Sequence, residues 1–148
     1  MARRTLAAEW LLAPGGKVLP RAQVVLEEGE VVHPPEPAGA GQELLPGLLL
    51  PGLVNAHCHL ELSHLRGRLP RGLGLAGFIE ALQSERGAGP EAAQREAARQ
   101  ALAEAEAAGT VALGDISNGE ASFAAKRGSA VAAHTFVEVL GLRPEAAH

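Results

Sequence analysis

Cysteine is nearly absent: the 148-residue chain holds one, Cys58. No intrachain disulfide is possible, which excludes a disulfide-stapled scaffold and makes a reducing, cytoplasmic setting the expectation. Positive charge is short as well, with 13 Lys and Arg against 17 Asp and Glu and a formal net charge of −4. That balance leaves no broad basic surface, so nucleic acid is not an expected partner. No apolar run reaches the length of a membrane span, and Glu9 interrupts the stretch after Arg3 and Arg4 before a signal peptide could form. Tyrosine is missing, methionine occurs once, and arginine far outnumbers lysine, a bias that fits a GC-rich genome and carries no chemistry of its own. Apolar residues are plentiful at 47%, enough at this length for one ordinary core, or one domain with a small appendage.

Residues 1–46 read as a small β unit and linker. Thr5 to Ala13 is a first strand ended by Pro14, Gly15 and Gly16, and Gln23 to Val32 is a hairpin turning at Glu28 and Gly29. Pro34, Pro35, Pro37, Gly39 and Gly41 then break any regular element. Such a unit is too small for a core of its own.

The remainder, residues 47–148, alternates strands with helices. Leu48 to His59 is an apolar run too continuous for a half-exposed strand, so cover on both faces is expected, with Pro51 and Gly52 marking a start or bend. Leu75, Phe78, Ile79 and Leu82 recur at helical spacing before Gly87. A second helix runs from Pro90 to Gly109, and its stripe of Ala93, Ala97, Ala98, Ala101, Leu102 and Ala105 is smooth enough to lie close against a sheet. Thr110 to Asn118 is a buried strand, Ser122 to Lys126 a helical turn, Ala130 to Leu140 a third strand, and Arg143 to His148 a helix start. Strands alternating with helices imply right-handed crossovers and a parallel sheet.

Polar residues gather where these strands end: His57, His59 and Glu61, then Asp115, Ser117 and Asn118, then Glu138. In an α/β fold the site lies at that edge. His57 and His59, two apart on an extended strand, share a face and suit one divalent metal ion, although two imidazoles do not complete a site. The same parity puts Leu53 and Asn55 with them and sets Val54, Ala56 and Cys58 opposite, with Cys58 packing as a small apolar residue. Glu61 is either a substrate contact or a solvated loop carboxylate. Asp115 is a substrate contact, a support for a ligand histidine, or a helix N-cap. Ser63, His64 and Asp115 do not make a hydrolytic triad, since the first two are adjacent and no nucleophile elbow surrounds Ser63. Gly72 to Gly77 matches G-x-G-x-x-G but follows a polar loop where a dinucleotide fingerprint requires a strand. Glu91, Arg95, Glu96 and Arg99 read as a solvated helix face with local ion pairs.

With the β unit before it, Pro51-Gly-Leu-Val-Asn-Ala-His-Cys-His-Leu-Glu61 resembles the opening of the amidohydrolase superfamily, in the branch of cytosine deaminases, chlorohydrolases and adenosylhomocysteine deaminases. Within that branch, His59-Leu-Glu-Leu-Ser63, Phe78-Ile-Glu-Ala-Leu82 and Gly109 to Asn118 are similar to aminofutalosine deaminases. The resemblance implies an α/β fold: an incomplete (β/α)8 TIM barrel, its first three βα units, preceded by a small β-sandwich-type N-terminal unit. It implies that His57 and His59 are two ligands of a catalytic Zn2+ or Fe2+. The implied chemistry is hydrolytic deamination of a small molecule, a purine-like or cyclic amidine substrate, with Glu61 and Asp115 as the candidate substrate-binding residues.

The family's remaining ligands, two histidines and an aspartate, come from its fifth, sixth and eighth strands, and neither His134 nor His148 matches them. The chain is thus expected to be a truncated or interrupted amidohydrolase that holds metal weakly or not at all and is inactive alone. The alternative expectation is a non-catalytic remnant or association partner, its open edges covered by self-association or by a complementing chain.

Overall fold

The computed structural model describes residues 3–139. The chain divides into two compact units, Met1–Pro51 and Gly52–His148.

In the first unit, β1 (Arg4–Leu12) and β2 (Val18–Glu27) form an antiparallel hairpin whose register runs from Arg4 opposite Leu26 to Leu12 opposite Val18. The connection is a 3₁₀ turn, Pro14–Gly16, in which Gly15 and Gly16 both sit at φ 80°, a backbone region that side chains rarely tolerate. After the turn at Glu28 and Gly29, β3 (Glu30–Val31) and then β4 (Glu36–Pro37) pair with β2, and β5 (Leu45–Leu49) runs parallel to β1. The result is a single five-stranded sheet where a sandwich-type unit was expected. Ala7, Ala8, Leu11, Ala22 and Val25 are its buried apolar residues.

The run Leu48 to His59 is not one strand. Leu45, Leu48 and Leu49 pair with Ala8, Trp10 and Leu11, while Leu53–Cys58 forms β6 in the second unit's sheet. Proline cannot donate to a ladder, so the break falls at Pro51 and Gly52. The observed division therefore lies a few residues beyond the expected 46/47 boundary.

In the second unit, β6, β7 (Thr110–Ser117) and β8 (Ala132–Val137) form a parallel sheet in sequence order. Between them lie a 3₁₀ helix (Leu60–Leu65), α1 (Gly74–Glu85), α2 (Glu91–Ala107) and α3 (Phe123–Arg127). Helix α2 starts after Pro90 and stops before Gly109 at φ 89°, as proline's fixed φ and glycine's freedom predict. Its Ala98 and Leu102 pack with Leu60, Leu113 and Val131, and Cys58 joins this core.

The opposite sheet face is open. Val54, Ala56, Ala112, Gly114, Ala132, His134 and Phe136 border a hollow of about 450 Å³, and Val54 is 69% exposed. Cover on both faces of β6, expected from its apolar run, is therefore not provided by the described residues. The expected alternation also changes: Val54 and Ala56 line the hollow while Cys58 lies in the core. The β6–β7 register slips between Asn55 and Cys58, and that extra residue reverses the parity before the histidines.

The apolar stripe of α1 is likewise uncovered, with Leu75 76% exposed. The third strand, expected over Ala130 to Leu140, spans Ala132–Val137, and Leu140 lies outside the described residues. The helix start expected at Arg143 to His148 lies outside the described residues. Among the described residues, no helix is long and apolar enough to cross a membrane.

Candidate functional site

Strand β6 ends at Cys58, and His59 turns the chain, at φ −132° and ψ 80°, directly into the 3₁₀ helix. His57 is exposed, His59 is half-buried, and their ring centroids stand 5.3 Å apart at an interplanar angle of 67°. The two imidazoles are thus side by side, as their spacing predicted. Nδ1 of His59 is buried and has no hydrogen-bond partner. Two adjacent imidazoles, one with an unpartnered buried nitrogen, fit two positions of a divalent-metal site. Among the described residues no group of three or more His, Cys, Asp or Glu side chains is arranged to complete it.

Asp115 lies near the end of β7 and is fully buried. Its Oδ1 accepts the Leu60 N–H at 2.9 Å, and its Oδ2 accepts from Ser122 Oγ at 2.8 Å and from Lys126 Nζ. Lys126 donates also to Thr135 Oγ1 at 2.7 Å and stands 4.8 Å from the centroid of the Phe123 ring. Both oxygens of Asp115 are engaged and none of the residue is exposed. It caps the start of the 3₁₀ helix from across the sheet, tying the backbone beside His59 to β7, α3 and β8.

Glu61 is not a solvated loop carboxylate either, being 8% exposed. Its Oε1 accepts from Arg86 at 3.2 Å, and its Oε2 accepts from Ser117 Oγ at 3.1 Å and from the Gly119 N–H at 2.8 Å. Arg86 also donates to Asn118 Oδ1. Glu61, Arg86, Asn118 and Gly119 border a cavity of about 260 Å³ beside Gln94 and Glu120. His64 adds to this network: its ring nitrogens lie 2.9 Å from the Glu61 carbonyl oxygen and 3.1 Å from that of Arg86. With His64 and Asp115 each so occupied, no Ser63–His64–Asp115 triad exists.

Sequence reasoning missed Arg86, Ser122, Lys126 and Thr135. Lys126 carried a signal, since it is one of two lysines, with Lys17, in an arginine-rich chain. The expected solvated face of α2 is present: Arg95 pairs with Glu91 and Arg99 with Glu96. Hydrogen bonds from Arg99 and then Gln100 hold Glu96 down to about 2. These pairs are exposed and add little stability.

Burial pushes the Cys58 thiol above its ordinary 9.0, with the Asp115 charge adding to the shift and Lys126 opposing it. At pH 8, iodoacetamide is expected to modify Cys58 at least about tenfold more slowly in the native chain than in urea. Above pH 9.0 the unfolded thiol loses its proton first, so stability falls as pH rises. Cys58→Ala should flatten that slope in urea titrations.

Solved structures share this fold. Aminofutalosine deaminase from Helicobacter pylori, in complex with methylthio-coformycin, matches 93% of the chain with a TM-score of 0.77 at 22% identity. The likeness is one of fold. A triazine hydrolase from Arthrobacter aurescens shares this fold over 98% of the chain, with a TM-score of 0.74 at 18% identity. Atrazine chlorohydrolase TrzN from Arthrobacter aurescens TC1, solved with zinc, does so over 93%, with a TM-score of 0.68 at 19% identity. The chain spans 36% of the first and third of these proteins and 37% of the second. The sequence matches no protein-family model and no curated protein.

Proposed function

We propose that this chain forms the first three βα units of a metal-dependent amidohydrolase barrel, with His57 and His59 as two ligands of a divalent ion, Zn2+ or Fe2+. The reaction class is hydrolytic deamination of a purine-like or cyclic amidine substrate, with aminofutalosine as the specific candidate. The observation that carries the reading is the side-by-side imidazole pair at the end of a parallel strand, with the buried His59 Nδ1 unpartnered. A shared fold with a deaminase and a zinc-bound chlorohydrolase supports it. When bound, such a metal acidifies a water and so supplies a nucleophile at neutral pH.

The chain's own residues hold the pair in place. Asp115 and Glu61, proposed from sequence as substrate contacts, act here as positioning residues: one fixes the backbone after His59, the other fastens the 3₁₀ helix to β7 and to the end of α1. Two imidazoles bind a divalent ion weakly, and the chemistry needs further ligands beyond those described.

Equilibrium dialysis of the full chain against Zn2+ tests the reading, with ammonia release from aminofutalosine, adenosine-type and cytosine-type substrates as a second measurement. Binding that weakens at least about tenfold in both His57→Ala and His59→Ala is expected. Equal binding by all three chains, or none by the native one, overturns the reading of the pair as ligands. The second reading, a non-catalytic association partner, is favoured by the uncovered sheet face and the exposed stripe of α1. A metal-free chain whose mass in sedimentation rises with concentration supports that reading.

A further inference from the structure

The imidazole ring of His59 has no hydrogen bond at Nδ1 to orient it. Its direction must therefore be inherited from its backbone, which is leaving the strand at that residue. Helix starts leave N–H groups without intrahelical partners, and here no side chain at the helix's own N-cap supplies one. The Leu60 N–H is instead satisfied by Asp115 Oδ1, 55 positions later in the chain. Asp115 is fully buried, so bulk solvent does not reach this hydrogen bond. Its carboxylate cannot swing away either, because Ser122 and Lys126 hold the other oxygen, and Lys126 is itself held by Thr135.

We propose that Asp115, anchored by Lys126, is a positioning residue for the imidazole pair: by accepting the Leu60 N–H it sets the backbone from which His59 is presented beside His57. The consequence for metal affinity rests on the reading of the pair as ligands. The positioning itself is measurable without metal.

The experiment compares two double variants in the full chain. Asp115→Asn with Lys126→Met removes both buried charges but keeps an oxygen for Leu60, whereas Asp115→Leu with Lys126→Met removes that acceptor at similar volume. Amide hydrogen exchange at Leu60 and the nuclear Overhauser contact between the His57 and His59 rings are read in metal-free protein. Co2+ affinity and the visible Co2+ spectrum are read on loading.

Leu60 protection and the ring contact are expected to persist in the Asn variant and vanish in the Leu variant. Co2+ binding is expected to be near native in the first and about 10- to 100-fold weaker in the second, with an altered spectrum. A Leu variant that is folded and keeps the ring contact overturns the proposal. Should that variant not fold, the native chain decides: a Leu60 amide that exchanges like a free loop amide overturns the proposal, and a protected one that stays protected in the Asn variant supports it. If the native chain shows the expected exchange and ring contact yet binds no Co2+, the positioning stands and the metal reading falls.

Discussion

Lys126→Met is expected to destabilise the chain by about 3–5 kcal/mol, the cost of leaving a buried carboxylate without its counter-charge. The magnitude follows from burial. The side chains of Lys126 and Asp115 are 7% and 0% exposed, so solvent does not screen the pair as it does Arg66 with Glu104 at 68% and 58%. A domain of this size has about 5–15 kcal/mol in total, so the single variant approaches global unfolding. Adding Asp115→Asn should restore much of the loss, because it removes the stranded charge while Asn still accepts from Leu60. The check is a double-mutant cycle on urea midpoints. If Lys126→Met costs under about 1 kcal/mol, the pair behaves as a surface ion pair and the lock described here is wrong.

Gly114→Ala is expected to cost about 3 kcal/mol or more, for a reason that belongs to backbone and not to side chains. A Cβ at that position would lie 2.6 Å from the Ala56 carbonyl oxygen and 3.3 Å from the Phe136 ring. A strand glycine with this geometry marks the close approach of another backbone. Ala56 lies in the stretch where the β6–β7 register slips, immediately before His57, so relief of the clash shifts the strand that presents the imidazoles. Gly128→Ala is the control: its Cβ would meet nothing nearer than 3.8 Å, and its cost should stay within about 0.5 kcal/mol. Thermal melts of the two variants measure the difference, and equal midpoints refute the account.

Much of the fold was legible in sequence because the signals were local. Pro90 and Gly109 bracket α2 through proline's fixed φ and glycine's tolerance of positive φ, and neither depends on what the helix packs against. The closeness of His57 and His59 was legible because they are only two residues apart where a strand ends, although His59 itself already lies beyond β6. Parity alone failed for Val54, Ala56 and Cys58, because a slip in register against β7 is a property of two strands and not of one. The run through Pro51 read as one strand because apolar continuity says nothing about which sheet each half joins.

What this sequence determined by itself was the alternation of strands and helices and the placing of two imidazoles at a strand's end, since propensity, capping and spacing act within a few residues. What only the tertiary structure decided was the surroundings of the carboxylates. Glu61 and Asp115 look like free polar groups on a strand edge until Arg86, Ser117 and Gly119 close on one, and Leu60, Ser122 and Lys126 on the other. A carboxylate's role follows from which donors surround it and whether water reaches it, and donors as far as 55 to 58 positions away along the chain are brought there only by folding.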